Sequence, residues 1–212
     1  QAPLDWRFAA SNASARVVPA MTAPTMPAID RYTGVLFDAL DAASLPAVSR
    51  RWLGAHVLVH SAPFGPVGAL DAIPAYRLSS GSKLPGLGTL AAQWKPDLAD
   101  ALAAADRGLV VDLRSGGYAA LGRVPGAVTA TVVTEKQDGS RAVVSHFNKH
   151  HKGLVARSLV TTRRAVRDVE GLAAVIADGG QRVEVEVEGS LRLFYLCISH
   201  HSKHSAVSRA DA

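Results

Sequence analysis

The sequence predicts a mixed α/β fold, a single domain with helices around a sheet that is not purely parallel. Three observations carry this. Short runs rich in β-branched residues, at 56–62, 108–113, 126–135 and 182–189, alternate with stretches whose apolar residues recur at helical spacing. Asp138-Gly139 separates two alternating runs, and an Asp-Gly pair in that setting marks a hairpin, which brings an antiparallel pair into the sheet. No linker divides the 212 residues, a length sufficient for one ordinary core.

Residues 1–21 are rich in Ala and Ser without a clear period and are expected to be loosely ordered. Pro24 and Pro27 oppose a helix before Ile29. Asp30 or Thr33 suits the start of the next helix, with Leu36 and Leu40 as its apolar stripe. Ser44 before Pro46 opens another short helix. The run 56–62 reads as a strand, 63–74 as a loop punctuated by Pro and Gly, and 75–80 as a short extended piece. From 84 to 105 a Gly-rich loop turns into helix, which Pro96 is expected to divide. The run 108–113 reads as a buried strand. The two hairpin strands follow, then helices over 151–162 and 168–180, the second ended by Gly179. The strict alternation of 182–189 reads as a last strand. Residues 190–212 form an atypical tail.

Composition narrows the function classes. At 48% apolar residues and 19% charged, the chain is globular and not intrinsically disordered. Its apolar runs are too short to cross a bilayer, so no membrane partner is expected. No basic segment followed by an apolar one opens it, which argues against a secretory signal. Cys197 stands alone and forms no internal disulfide, which suits a reducing compartment, the cytoplasm.

Charge is unevenly placed. The net formal charge is +5; of 23 basic residues, seven lie between Ser140 and Arg167, where no acid occurs, and the other sixteen are set against 18 acids. A local basic block of this kind suggests a polyanion partner.

Within that block, "VVSHFNKHHKGLVAR" (143–157) raises three readings. His146, His150 and His151 suggest a metal site but have no paired carboxylate or cysteine nearby, and His200, His201 and His204 lie in a polar, terminal and irregular tail that suits chelation still less. No metal and no cofactor is therefore expected. A Ser-His-Asp triad drawn from Ser115, His146 and Asp112 lacks the Gly-x-Ser-x-Gly elbow, and no catalytic motif is established. The third reading is phosphate binding: Lys149 and Lys152 supply point charges and Arg157 a bidentate fork. Tyr76-Arg77 and Lys83 lie in another loop of basic and aromatic character. Arg114 and Ser115 stand at the carboxyl end of a strand, where Gly116-Gly117 exposes backbone N–H groups to an anion. The stretch "LPGLGTLAA" (84–92) resembles the hairpin of a helix-hairpin-helix motif, although no helical pattern precedes it.

Four separated blocks, "TMPAIDRYTGVLFDAL", "PAYRLSSGSKL", "VVDLRSGGY" and "VVSHFNKHHKGLVAR", resemble the YaaA-like peroxide stress protein family, a UPF0246-like domain of unknown function, in its actinobacterial branch. The resemblance covers about residues 22–188. The matching positions are Asp30, Tyr32, Thr33 and Gly34; then Phe64, Gly65 and Asp71; then Tyr76, Arg77, Gly81 and Lys83; then Ser115 and Tyr118; and finally Ser145, Lys149, Lys152, Gly153 and Arg157.

The resemblance implies an α/β domain with a basic cleft that binds DNA, duplex or branched. It implies a role in surviving peroxide through lower unincorporated iron, without a known reaction. The alternatives are an enzyme acting on a phosphorylated or nucleotide-like small molecule, and a direct iron-binding protein. Residues 1–21 do not match the family's opening strand and its Leu-x-x-Pro-Ser-Glu-x-Lys loop, so that segment is expected to be missing.

Overall fold

A computed structural model describes residues 23–103, 108–136, 138–143, 147–188 and 191–198. The expected loose segment 1–21, Ser145, His146 and the tail beyond Ile198 lie outside these residues. The fold is mixed α/β as predicted. Contacts group the chain into two compact units, Gln1–Arg107 with Arg114–Pro125, and Gly108–Leu113 with Gly126–Ala212. The chain passes from one to the other three times, so no single linker separates them.

In the first unit, β1 (Thr25–Pro27) pairs antiparallel with β4 (Ala72–Pro74). Helices α1 (Ala28–Arg31), α2 (Val35–Leu40) and α3 (Ala47–His56) follow β1, with a 3-10 turn at Ala42–Ser44 before α3. Neither Asp30 nor Thr33 caps a helix: Asp30 lies inside α1, and the N-cap of α2 is Gly34, at φ 122°. Asp30 is instead held by the Arg50 guanidinium, 20 residues away. A long-range ion pair thus takes the carboxylate that local capping would use.

The hairpin of β2 (Leu58–Ser61) and β3 (Gly65–Gly68) stands where the sequence suggested a strand and then a loop. The expectation of loop over 63–74 is therefore corrected, since β3 and β4 both fall inside it. Pro and Gly there set the turns, while the ladder partners come from 58–61 and from 25–27. Pro66 is tolerated because a two-stranded ribbon leaves an edge where a missing N–H costs nothing.

The hairpin of β5 (Lys83–Leu84) and β6 (Gly88–Thr89) leads into α4 (Leu90–Ala103). No helix lies between His56 and this hairpin, where 57–82 is strand, turn and irregular chain, so it does not complete a helix-hairpin-helix. Pro96 does not divide α4, which runs through it. Packing overrides the lost backbone bond: Leu90 and Leu98 on one face are buried, and the Trp94 indole donates to the Ala62 carbonyl at 2.9 Å. Ala62, Leu90 and Leu121 form this unit's core, flanked by Leu78, Trp94 and Tyr118. Short α5 (Gly116–Ala119) completes it.

The second unit is a five-stranded mixed sheet, ordered β10 (Val183–Glu188), β11 (Leu191–Ile198), β8 (Val128–Glu135), β7 (Val111–Asp112), with β9 (Arg141–Val143) also on β8. β8 runs parallel to β7 and β11 and antiparallel to β9, the hairpin read from Asp138-Gly139. Part of the segment read as an atypical tail, 191–198, is thus an inner strand. Helices α6 (Phe147–Thr162) and α7 (Val169–Asp178) pack on the sheet around Val128, Val132, Val155, Leu172 and Ile176. Helix α6 starts four residues before the predicted 151. The N-cap of α7 is Asp168, whose carboxylate accepts from Gly171 N at 2.7 Å, and its C-cap is Gly179, as the sequence indicates.

Candidate functional site

Of the predicted residues, Tyr76, Arg77, Lys83, Arg114 and Ser115 belong to the first unit, and Lys149, Lys152 and Arg157 to the second. The first five do not form one surface patch with equal roles. Tyr76 and Arg77 line an open cavity of about 500 Å³ together with Arg31, Tyr32, Ala75, Leu78, Ser79, Ser82 and Tyr118. None of these nine is acidic. The segment 75–79 that supplies most of the wall has no regular structure.

Three phenols meet in this unit. The Tyr32 and Tyr76 hydroxyls are hydrogen-bonded to each other, and the buried Ser61 hydroxyl donates to Tyr76 at 2.9 Å. Ser61 in turn accepts from Phe64 N at 3.3 Å, and the Phe64 ring meets Tyr76 edge-on at 5.7 Å. Tyr32 stacks on Phe37 at 5.3 Å. Burial pushes the Tyr32 phenol well above its ordinary value; a Ser61 hydrogen bond opposes this, and Tyr76 adds to it. Burial does the same for Tyr118, again with help from Tyr76. Both phenols, neutral at physiological pH in any case, thus resist ionisation further.

Arg31 is partly committed. One guanidinium nitrogen donates to the Ile73 carbonyl at 3.1 Å and the Pro24 carbonyl at 3.3 Å. Its Nε is buried and has no hydrogen-bond partner among the described residues. Arg77 is exposed on the cavity wall.

Arg114 is tied into the fold. It meets His60 Nδ1 at 2.9 Å and donates to the carbonyls of Gly122 at 2.9 Å and Tyr118 at 3.4 Å. Ser115 is exposed at the N-cap of α5 and makes no side-chain cap there. Gly117 lies against Ser80, whose hydroxyl would sit 2.7 Å from an added Cβ. Lys83 is exposed on β5.

In the second unit, Lys149, Lys152 and Arg157 share helix α6 but not one environment. Lys149 is exposed near the helix start, where the first turn carries no acid. Lys152 is half-buried; burial lowers its pKa, and the Asp112 carboxylate pulls it back up. Arg157 is half-buried one turn and a half later. The stretch that is acid-free in sequence is not acid-free in space: Arg141 pairs with Glu184 at 2.6 Å and Arg164 with Asp178 at 3.6 Å. Among the described residues no group of three or more His, Cys, Asp or Glu converges as a metal would require.

Sequence reasoning from the residues alone missed Arg31, His60 and Ser61. Arg31 looks like any helix-end cation, and Ser61 lies in an apolar strand. The only signal was their proximity in sequence to Tyr32 and to the 56–62 strand.

A family profile described as peroxide stress protein YaaA matches residues 6–184, beginning well before the 22 read from the motif blocks. A UPF0246 protein of Corynebacterium efficiens is 49% identical over 169 residues, covering 77% of this chain and 66% of its own length. One from Streptomyces coelicolor is 46% identical, over 78% of this chain and 65% of its own. One from Leptothrix cholodnii is 32% identical over 155 residues. The chain thus spans just under two thirds of the length of the curated relatives it matches. None of the described helices is long and apolar enough to cross a membrane.

Proposed function

We infer, for a chain that belongs to the peroxide stress protein YaaA family, that it acts in peroxide stress by binding DNA through phosphate contacts. The observation that carries this reading is the start of α6. Lys149 stands exposed there with no acid in the first turn. The unsatisfied N–H groups at a helix N-terminus add positive potential beside the lysine, a combination suited to phosphate oxygens. The net charge of +5 supports attraction to a polyanion. The reading is non-enzymatic and places the protein in the cytoplasm. It includes a link to lower unincorporated iron, expected as a smaller labile-iron pool in peroxide-challenged cells that hold the protein.

The test is binding to duplex and branched DNA across a salt series. Each neutralised phosphate releases condensed counterions, so log affinity is expected to fall against log salt with a slope of about −0.9 per contact. A flat response, or no binding at low salt, refutes phosphate binding. Stoichiometric iron on the purified protein would favour direct metal handling instead.

A further inference from the structure

We propose that the cavity of the first unit binds a single nucleotide, with the base against the Tyr32, Tyr76 and Tyr118 rings and the phosphate on Arg31 and Arg77. This goes beyond duplex binding, which the α6 lysine serves in the other unit, and each can fail without the other.

The argument starts from size and lining. A volume of about 500 Å³ falls in the range of small-molecule sites, roughly 300–1,000 Å³. The wall divides chemically. Three half-buried phenol rings form an aromatic part, which suits a planar base because every base has a π-face. Two arginines form a cationic part with no carboxylate among the lining residues to neutralise it. An aromatic group alone would leave both guanidinium groups unanswered, and a bare phosphate would leave the rings facing water.

Arg31 gives the second, independent observation. Buried polar nitrogens are almost always hydrogen-bonded, and one left unmade is costly. Arg31 Nε is buried and unpartnered among the described residues, in a residue that lines the cavity, while Nη2 is anchored to the Ile73 and Pro24 carbonyls. Those anchors hold the guanidinium in place before any ligand arrives. Nε itself is closed off from the cavity, so a phosphate there would accept from the guanidinium's outer N–H groups. Tyr32 and Tyr118 are protonated at neutral pH, as tyrosines are, and burial only strengthens this, so neither carries a charge that would repel a phosphate.

The source of the nucleotide is either a free mononucleotide or an unpaired nucleotide within a strand. Isothermal titration of the full chain with dAMP tests the site. One dAMP per chain is expected, with ribose 5-phosphate and deoxyadenosine each at least about tenfold weaker, since each lacks one half of the recognition. Arg77→Ala removes an exposed charge and is expected to weaken dAMP binding about tenfold or more, with an unchanged melting curve. Arg31→Lys, which keeps the charge but loses the fork of outer N–H groups, is expected to weaken it as well, and its melting curve separates lost contact from lost fold.

Lys149→Glu is expected to leave dAMP binding unchanged. A single-stranded oligonucleotide that displaces dAMP identifies the strand as the source; one that does not identifies the free nucleotide. No dAMP binding at millimolar concentration, ribose 5-phosphate binding as tightly as dAMP, or wild-type affinity in Arg77→Ala would overturn the proposal. Duplex binding with no dAMP binding removes the nucleotide site alone, and the reverse removes the duplex reading alone.

Discussion

Arg114 and His60 share a hydrogen bond of 2.9 Å between a guanidinium nitrogen and imidazole Nδ1, although 54 residues separate them. A guanidinium only donates, so His60 accepts at Nδ1 and carries its proton on Nε2. The same arginine holds the carbonyls of Gly122 and Tyr118. It therefore ties the β2 strand to the segment around α5, inside the first unit. A residue that reads in sequence as a phosphate ligand is three-fold occupied in the fold.

Arg114→Ala should accordingly cost stability. Leaving the carbonyls of buried Gly122 and half-buried Tyr118 without a donor costs about 2–3 kcal/mol in all. Arg114→Lys should recover only part of this, because one ammonium cannot span the three acceptors. Denaturant unfolding measures both. An alanine variant as stable as the parent would refute the pinning role.

Charge reversal on α6 separates a binding lysine from a structural one. Lys149→Glu is expected to weaken duplex DNA binding with a change in stability of no more than about 0.5 kcal/mol, as for an exposed position. Lys152→Glu would set a second carboxylate beside Asp112 in a half-buried site and should lower the melting temperature. Arg51, which is exposed, serves as the control. Arg50 does not, because it is paired with Asp30 and also bonds the Ala42 carbonyl. Equal loss of DNA binding in Lys149→Glu and Arg51→Glu would mean diffuse attraction and no α6 site.

His151 sets a pH dependence. Burial lowers its pKa from the ordinary 6.5; the Gln181 side chain opposes this, and the neighbouring His150 adds a smaller push in the lowering sense. Between the folded value and 6.5 the unfolded chain holds more protons than the folded one. Stability should therefore fall as pH drops through 6.5 and level off below the folded value. In His151→Gln this decline should be shallower. Parallel stability curves for parent and variant from neutral pH down to about 5 would exclude His151 as its source.

Gly65→Ala should be strongly destabilising. Gly65 sits at φ +70°, and an added Cβ would lie 2.9 Å from the Trp94 ring. The left-handed backbone costs an L-residue about 1–2 kcal/mol, and the overlap adds to it. Trp94 cannot withdraw freely because its indole is bonded to Ala62. A smaller cost of Gly65→Ala in a Trp94→Leu background than in the parent would assign the excess to that contact, and an equal cost in both would deny it.

The sequence by itself determined what neighbours along the chain decide. The mixed α/β class, the hairpin at Asp138-Gly139 and the helix bounded by Asp168 and Gly179 all follow from local turn chemistry, alternation and capping. Tyr76 and Arg77 were also legible, as a basic and aromatic pair in one loop. Only the tertiary structure decided that a Pro- and Gly-rich stretch pairs into β3 and β4, because its ladder partners are supplied from other segments. Only the tertiary structure placed Leu191–Ile198 inside the sheet, between strands that lie before and after α6 and α7 in the chain. The same holds for charge. Lys149 and Lys152 look alike three residues apart, yet one is exposed and the other half-buried near Asp112, 40 residues earlier. A cation's solvation and partners are set by whatever the fold brings within a few ångströms, and spacing along the chain carries no information about that.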